Sequence, residues 1–492
     1  MKWVRGRWSV AFLLVACLLV GSVRGQQQEA DVAVDFGAGI GSGPPRWGTN
    51  VWWTDQDAEV WTSRWDEMGL TLARVPVPHA LIEPVNDNGD PQVVDPAGFL
   101  LDTPIVVSPT LTRTMTYRQW FEALRDRPSV EAMLFFSYLS PWLTDNPPHT
   151  DFSFPAAPYP PNDLDEYREF VQELLRYLVE DIGFPPERIL VEAMNEPDLR
   201  CGQDPEVPCF WQDWTMQDVA DVVEVTCEAA RAVDDRIRVV GLAECCGTNV
   251  VRTLLNQYPE GECLDGLTYH YYSPSGYDLD AALDRAAQIA PYGLPVYLDE
   301  YGSFEYLSEG QAGGLWHGWA LPVLWEAGII PAQYPISEFP GHPEPYNRMG
   351  LFLDWTGGWE RKPAYWVYTH FFGHVAGREM VSATASVPLD VLAVRRLTAD
   401  EVEVALWVVN RGSLSQPDRR FVVRNFPSQV ATMQVFDGLA GPGPVATATV
   451  TGAPLVFTAT VPAESVRLFV LRASAWAPFH LYLPVILRRY DP

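Results

Sequence analysis

Ile189-Leu-Val-Glu-Ala-Met-Asn-Glu-Pro197 and Pro295-Val-Tyr-Leu-Asp-Glu-Tyr-Gly302 are two short apolar runs, each closing on a glutamate. Runs that are apolar almost continuously read as strands covered on both faces, so strands are expected over 189–194 and 295–299. Six further runs share that character: 47–53, 71–77, 132–138, 238–242, 266–271 and 329–336. Helix-like stretches such as 163–180 and 216–232 lie between them. In the first of these, Leu164, Tyr167, Phe170, Val171, Leu174, Leu175 and Leu178 recur at helical spacing. Eight strand–helix units in sequence predict an α/β fold, a (β/α)8 TIM barrel. A doubly wound sheet is the alternative, but no Gly-rich phosphate turn follows the first strand.

From about Met380 the pattern changes. Short β-branched runs at 387–394, 402–409, 420–423, 432–436 and 465–471 are separated by turn signals such as Asn410-Arg411-Gly412 and Asp437-Gly438. That predicts a small all-β sandwich after the barrel, to which residues near 30–43 are expected to add a strand. The expected organisation is a signal peptide at 1–25, a barrel at 26–375, a sandwich at 376–475 and a tail at 476–492. The tail is apolar, basic at its end and too short to span a bilayer. It reads as an edge strand on the sandwich, or as a surface-retention tag.

The start reads as an export signal. Lys2, Arg5 and Arg7 precede an apolar stretch, and Val23-Arg24-Gly25 fits a cleavage site. The apolar stretch is too short for a transmembrane helix. Leu14-Val15-Ala16-Cys17 also has the form of a lipobox, so the expected location is secreted or cell-surface. Apart from Cys17, six cysteines remain: Cys201, Cys209, Cys227, Cys245, Cys246 and Cys263. Export places them in an oxidising compartment, and no histidine interleaves at ligand spacing, so disulfides are expected over a zinc cluster. Six cysteines leave the pairing open.

The net charge of −29 and the pI near 4.6 exclude nucleic acid as an expected partner. They also disfavour polyanions and point to a neutral ligand. Lys2 and Lys362 are the only lysines, so Schiff-base chemistry would rest on Lys362 alone. The eight histidines show no HxH or HExxH spacing, and neither a metal nor a cofactor is expected.

In a barrel of this type the chemistry stands at the C-terminal ends of the strands. Glu196, in Asn195-Glu-Pro197, ends the fourth expected strand, and Glu300 ends the seventh. This pair, in register over roughly residues 45–375, resembles the clan A retaining glycoside hydrolases. The resemblance implies hydrolysis of a carbohydrate with Glu196 as acid/base and Glu300 as nucleophile, the two carboxyl groups about 5–5.5 Å apart. A transglycosylase or a non-catalytic carbohydrate-binding protein would share the same fold. By the resemblance, Asn195 would bond the sugar 2-hydroxyl, and Arg74 would keep the nucleophile ionised. Tyr272 would donate to Glu300, and His270 would order the site. Strand alternation predicts that Asp299 points to the side opposite Glu300. Glu192 and Glu338 are the reserve candidates for the acid/base.

The chain departs from family five of that clan. Phe136-Ser-Tyr-Leu-Ser-Pro-Trp142 lacks the histidine expected after strand three, and Gln333-Tyr-Pro-Ile-Ser-Glu-Phe339 lacks the tryptophan expected after strand eight. The Asn-Glu-Pro-Asp form and the following sandwich look closer to family 39. Trp53, Trp142, Trp211 and Trp355 are candidate sugar platforms in strand–helix loops. Glu244 and Glu338 are rim acids that would bind hydroxyls, or be structural or solvated. The segment 78–116 is expected to form a lid or cleft wall.

Overall fold

Eight parallel strands close into a barrel, each paired with the next in sequence and the last with the first. They are β1 (Gly48–Asn50), β2 (Leu72–Pro78), β3 (Glu131–Ser137), β4 (Ile189–Glu192), β5 (Arg238–Glu244), β6 (Gly266–Ser273), β7 (Val296–Ser303) and β8 (Ile330–Gln333). All eight expected strands are present, β1 and β8 being shorter than their apolar runs. This computed structural model describes residues 29–51, 58–86, 99–108, 111–144, 159–199, 214–338, 345–354 and 357–475. The proposed leader with Cys17, the tail 476–492, and Trp53, Trp211, Trp355, Cys201 and Cys209 lie outside them.

The barrel interior is built in layers. Leu72, Met133, Leu190, Val240, Tyr297, Ile330 and Ala332 form one buried apolar layer. Side chains alternate along a strand, so two residues further on stand Arg74, Glu192 and Asp299. All three are wholly buried, which makes the next layer a charged one. Gly48 is needed at the start of β1, where a Cβ would lie 2.2 Å from the Leu72 carbonyl oxygen.

The outer helices begin where their sequences supply caps. Thr215 and Asp218 close a capping box on the helix Met216–Val233. Asp163 accepts from the N–H groups of Asp165 and Glu166 at the start of Leu164–Arg176. Cys227, on the first of these helices, is bonded to Cys263 in the turn Pro259–Cys263, and Cys245 is bonded to Cys246.

The top of the barrel is less regular than its base. In the β6–β7 ladder Leu298 pairs with Tyr269 and Glu300 with His270, so Asp299 is an extra residue. This bulge corrects the expectation that Asp299 and Glu300 face opposite sides. Asp299 points inward by alternation from Tyr297, and the bulge turns Glu300 to the same side. Tyr138, Glu196 and Ala243, at or just beyond the ends of β3, β4 and β5, all have left-handed backbone, with φ of 55°, 52° and 50°. Of the expected lid, the described parts are a helical turn His79–Ile82 and a hairpin of Pro104–Ser108 with Leu111–Thr116.

The remaining strands are β9 (Glu379–Ala385), β10 (Asp390–Leu397), β11 (Glu401–Asn410), β12 (Gln416–Arg424), β13 (Val430–Asp437), β14 (Ala446–Thr451), β15 (Leu455–Val461) and β16 (Ser465–Ser474). The strand Val32–Ser42 inserts between β9 and β12, as expected for residues near 30–43. The sheet runs β14-β13-β16-β11-β10-β9-(Val32–Ser42)-β12-β15. It folds over on itself: Phe421 of β12 and Phe469 of β16 lie 5.1 Å apart between ring centres, with four strands between them in the sheet. The sequence reading missed β9, β14 and β15. In β14, Ala-Thr-Ala-Thr-Val-Thr, only Val450 is buried, so its apolar signal is weak. The sandwich packs on the barrel through the helix Gly310–Glu326, where Trp407 Nε1 donates to the Gly318 carbonyl at 2.7 Å.

Glu244 is not a solvated rim acid. It is fully buried at the end of β5 and accepts the N–H groups of Val250 and Val251 at 3.0 and 2.8 Å, at the start of the helix Asn249–Gln257. Burial pushes its pKa up to about 7 despite those bonds. Above the ordinary value of 4.5 the folded state therefore holds a proton that the unfolded chain has released. The stability this contributes is complete below 4.5 and is lost as pH rises through about 7. Glu244→Gln should remove this dependence, flattening the stability curve over that window by on the order of 1–3 kcal/mol in denaturant midpoints. Parallel curves for the two proteins would show that Glu244 is not the titrating group.

Candidate active site

Arg74 is the centre of the charged layer. Its Nε and Nη2 donate to Glu192 Oε2 at 2.9 and 2.6 Å. Its Nη1 donates to Glu300 Oε1 at 2.5 Å and to Asn50 Oδ1 at 2.8 Å, and Nη2 reaches Asn195 Oδ1 at 2.6 Å. Asp299 Oδ2 lies 2.9 Å from Nε. The guanidinium also sits 4.0 Å over the Phe135 ring. Burial alone would lower the Arg74 pKa, but the charges of Glu192, Asp299 and Glu300 outweigh it and raise it. A fixed cation is thus held against three carboxyl groups.

The bulge in β7 presents Glu300 to two donors. Arg74 takes Oε1, and the Tyr272 hydroxyl donates to Oε2 at 2.8 Å. Glu196 stands opposite on the loop after β4, and its N–H donates to the Ala243 carbonyl at 3.1 Å. The positive φ of Glu196 costs about 1–3 kcal/mol for a non-glycine residue, a strain typical of side chains aimed by their surroundings. His270 Nδ1 is 2.8 Å from Glu196 Oε1 and 3.5 Å from Glu300 Oε2, and its Nε2 is 3.6 Å from Asp299. Burial would lower the His270 pKa, but Glu300 and Asp299 hold it well above its ordinary value, so the ring carries a proton.

One atom each from Glu196, His270 and Glu300 lies within 4.8 Å of the others. At least one oxygen of each carboxylate is thus close to the other, an approach that suits the closer carboxyl spacing of about 5–5.5 Å better than the wider one that seats a water between opposed acids. The same three residues have a spacing that would suit a metal ion. The chemistry of the donors argues for a proton instead: His270 is held charged, and Arg74 already neutralises Glu300. A second such group, Asp198 with Cys245 and Cys246, has its sulfurs tied to each other, so neither is available as a thiolate.

The structure gathers Glu196, Glu300, Asn195, Arg74, His270 and Tyr272 into one cluster. Trp142 Nε1 donates to the Glu83 carbonyl at 3.0 Å, and its ring meets His79 edge-on. Glu338 is paired with Lys362, whose Nζ also donates to the Arg348 carbonyl. The sequence reading missed Asn50 and the role of Glu192. It also missed a set of aromatic residues around Glu300. Tyr272 stacks on Phe304 at 5.1 Å and meets Tyr334 and Tyr346 edge-on at 6.2 and 5.5 Å. Burial, with the Glu196 and Glu300 charges, pushes the Tyr346 phenol up to about 12 and raises Tyr138 likewise. Alternation along β2, carried across to β4, would have found Glu192; Tyr334 lies just past the end of β8, within its expected run, and Tyr346 lies on a short turn with no periodic signal.

No family model matches the chain. A curated β-xylosidase from Geobacillus stearothermophilus is 29% identical over 128 residues, which is 26% of this chain and 23% of that enzyme's length. Among solved structures, the fold is similar to a GH30 endoxylanase from Clostridium papyrosolvens C71 (TM-score 0.60, 16% identity, 90% of this chain and 100% of the other). It is also similar to a monomeric β-xylosidase from Caulobacter crescentus CB15 (0.64, 15%, 89% and 99%). A GH39 enzyme from Xanthomonas axonopodis pv. citri is a third (0.64, 14%, 91% and 99%). The shared feature is the architecture, a (β/α)8 barrel with a β-sandwich spanning nearly the full length of each protein.

Replacing Arg74 by Leu would leave three carboxyl groups together without their cation. Stability should fall by about 3–5 kcal/mol, read from urea midpoints at neutral pH. A loss below about 1 kcal/mol would mean that the layer does not depend on this charge.

Proposed function

We propose that the chain is a secreted retaining glycoside hydrolase that cleaves β-glycosidic bonds in a neutral plant or microbial polysaccharide or oligosaccharide by double displacement. The observation that carries this reading is the approach of one Glu196 oxygen and one Glu300 oxygen to within 4.8 Å at the mouth of the barrel, with Glu300 held by Arg74 and Tyr272. Glu300 attacks the anomeric carbon. Glu196 Oε1 accepts from His270, which leaves Oε2 to carry the proton to the departing oxygen. In the second step Glu196 removes a proton from water, which displaces Glu300 from the sugar. Asn195 Oδ1 is taken by Arg74, so its amide nitrogen is the end that donates to the sugar 2-hydroxyl. The acidic chain favours a neutral substrate, and β-xylosides are the first to test because three of the four named relatives are xylanases or xylosidases. Export rests on the leader at 1–25.

Glu300→Gln keeps the shape of the nucleophile and removes its charge, so turnover on aryl β-glycosides should fall by about five orders of magnitude. An activated fluoro-sugar should label Glu300 in the wild type, and a label elsewhere would falsify the assignment.

Glu196→Ala separates the two roles. It should lose most activity on a natural oligosaccharide but still be glycosylated readily by a nitrophenyl glycoside, whose leaving group needs little protonation. Azide needs no general base, so it should accelerate turnover and give a glycosyl azide of retained configuration. Equal losses on both substrates, with no response to azide, would remove Glu196 from the acid/base role.

A further inference from the structure

Beneath Glu300 lie two carboxyl groups that the reaction does not use. Glu192 and Asp299 are both wholly inaccessible to solvent, and an oxygen of each lies 2.9 Å from the same nitrogen, Arg74 Nε. Arg74 supplies both of its bonds to Glu192 through Oε2. Neither Glu192 Oε1 nor either Asp299 oxygen has a hydrogen-bond donor in good geometry, although the Thr268 hydroxyl lies near Glu192 and His270 near Asp299. Orphaned acceptors in a dry interior are costly. The two carboxyl groups meet at Arg74 Nε and lie within hydrogen-bonding reach of each other, so one proton held between them relieves both.

We propose that Glu192 and Asp299 form a single acid–carboxylate pair that shares one proton beneath Glu300 and positions Arg74, with neither residue touching the substrate. The groups that face Glu192 are Arg74, Asp299 and the Thr268 hydroxyl; those that face Asp299 are Arg74, His270, Tyr269 and Glu192. Burial and the Asp299 charge raise Glu192 well above the ordinary carboxyl value, whereas Arg74 and His270 hold Asp299 below its own despite burial. Glu192 is therefore the proton's holder and Asp299 the anion. The charges then balance: Arg74 and His270 stand against Asp299 and Glu300. A third full anion would compete with Glu300 for the guanidinium. The pair thus leaves part of the Arg74 charge for the reacting carboxylate.

The kinetic part of this inference rests on the glycosidase reading; the spectroscopic part does not. Either residue can be replaced by its amide with the balance kept. Glu192→Gln offers an N–H in place of the acid O–H, and Asp299→Asn does the same from the other side, leaving Glu192 as the anion. The double variant has no anion at all. Each single variant should keep kcat/KM on an aryl β-glycoside within about tenfold of wild type, and the double variant should lose about 100-fold or more as Arg74 shifts. Infrared difference spectra at about pH 8, where ordinary carboxyl groups are ionised, should show a protonated-carboxyl C=O band in the wild type that is missing from both single variants. Loss of that band in Glu192→Gln supports the pair even if the double variant fails to fold. A wild-type spectrum unchanged by Glu192→Gln overturns it, as does a single variant as damaged as the double one. A wild type inactive on every glycoside would sink the glycosidase reading and leave the infrared result to decide the proton.

Discussion

Arg74 is the one cation on which the arrangement of this site depends. It is buried inside a closed barrel, where an unpaired charge would be prohibitively unfavourable, so its partners are dictated rather than optional. Those partners come from β7, the ends of β1 and β4 and the loop after β4, which makes the guanidinium a cross-brace between opposite walls. Its planar fork matters here. Three nitrogens reach Glu192, Glu300, Asn50 and Asn195 at fixed relative angles, a task a lysine could not perform. Glu300 is thereby located through its neighbours and not merely through its own strand.

The barrel was legible because its signals are local and repeated. Eight apolar runs, each followed by a helical period, leave few topologies, and closure follows from order alone. Glu196 and Glu300 were legible for a related reason, since each closes an apolar run, and Arg74 because a lone cation interrupts one. The structure places Arg74 and Glu300 within their strands and Glu196 just beyond its own. That Asp299 and Glu300 face the same side was not legible, because alternation assumes a regular ladder. One inserted residue between Leu298 and Glu300 breaks that assumption, and no residue type in Tyr-Leu-Asp-Glu-Tyr announces the bulge. Tyr334 escaped notice because it stands where its strand ends early, and Tyr346 because it comes from a short turn brought to the site only by the tertiary fold. In the sandwich, β14 was missed because a strand with one buried side chain carries almost no hydrophobic pattern.

His270 links the two halves of the site electrically. Its proton is held by Glu300 and Asp299, while its Nδ1 meets Glu196. On the proposed reaction path, Glu300 becomes an ester and loses its charge at the moment Glu196 becomes a carboxylate. The imidazolium then exchanges one anionic neighbour for another without moving, because 2.8 Å to Glu196 and 3.5 Å to Glu300 already bracket both states. A cation placed between two groups that ionise alternately keeps the sum nearly constant through both steps. That is preorganisation in the electrostatic sense, since no dipole has to reorient.

The division between regular base and irregular rim follows from the same physics. The apolar layer of Leu72, Met133, Leu190, Val240, Tyr297, Ile330 and Ala332 is satisfied by any well-packed set of side chains and needs only ideal strands. The charged layer above it needs particular atoms at particular distances, which ideal strands do not deliver. The bulge before Glu300 and the left-handed turns at Tyr138, Glu196 and Ala243 supply those placements, each at a local conformational cost. The closed ladder below makes those costs tolerable, because the deviations begin only where the strands have already been paired over most of their length. Stability and chemistry are thereby separated along the barrel axis, and the charged layer, packed against both, is where a substitution disturbs the two together.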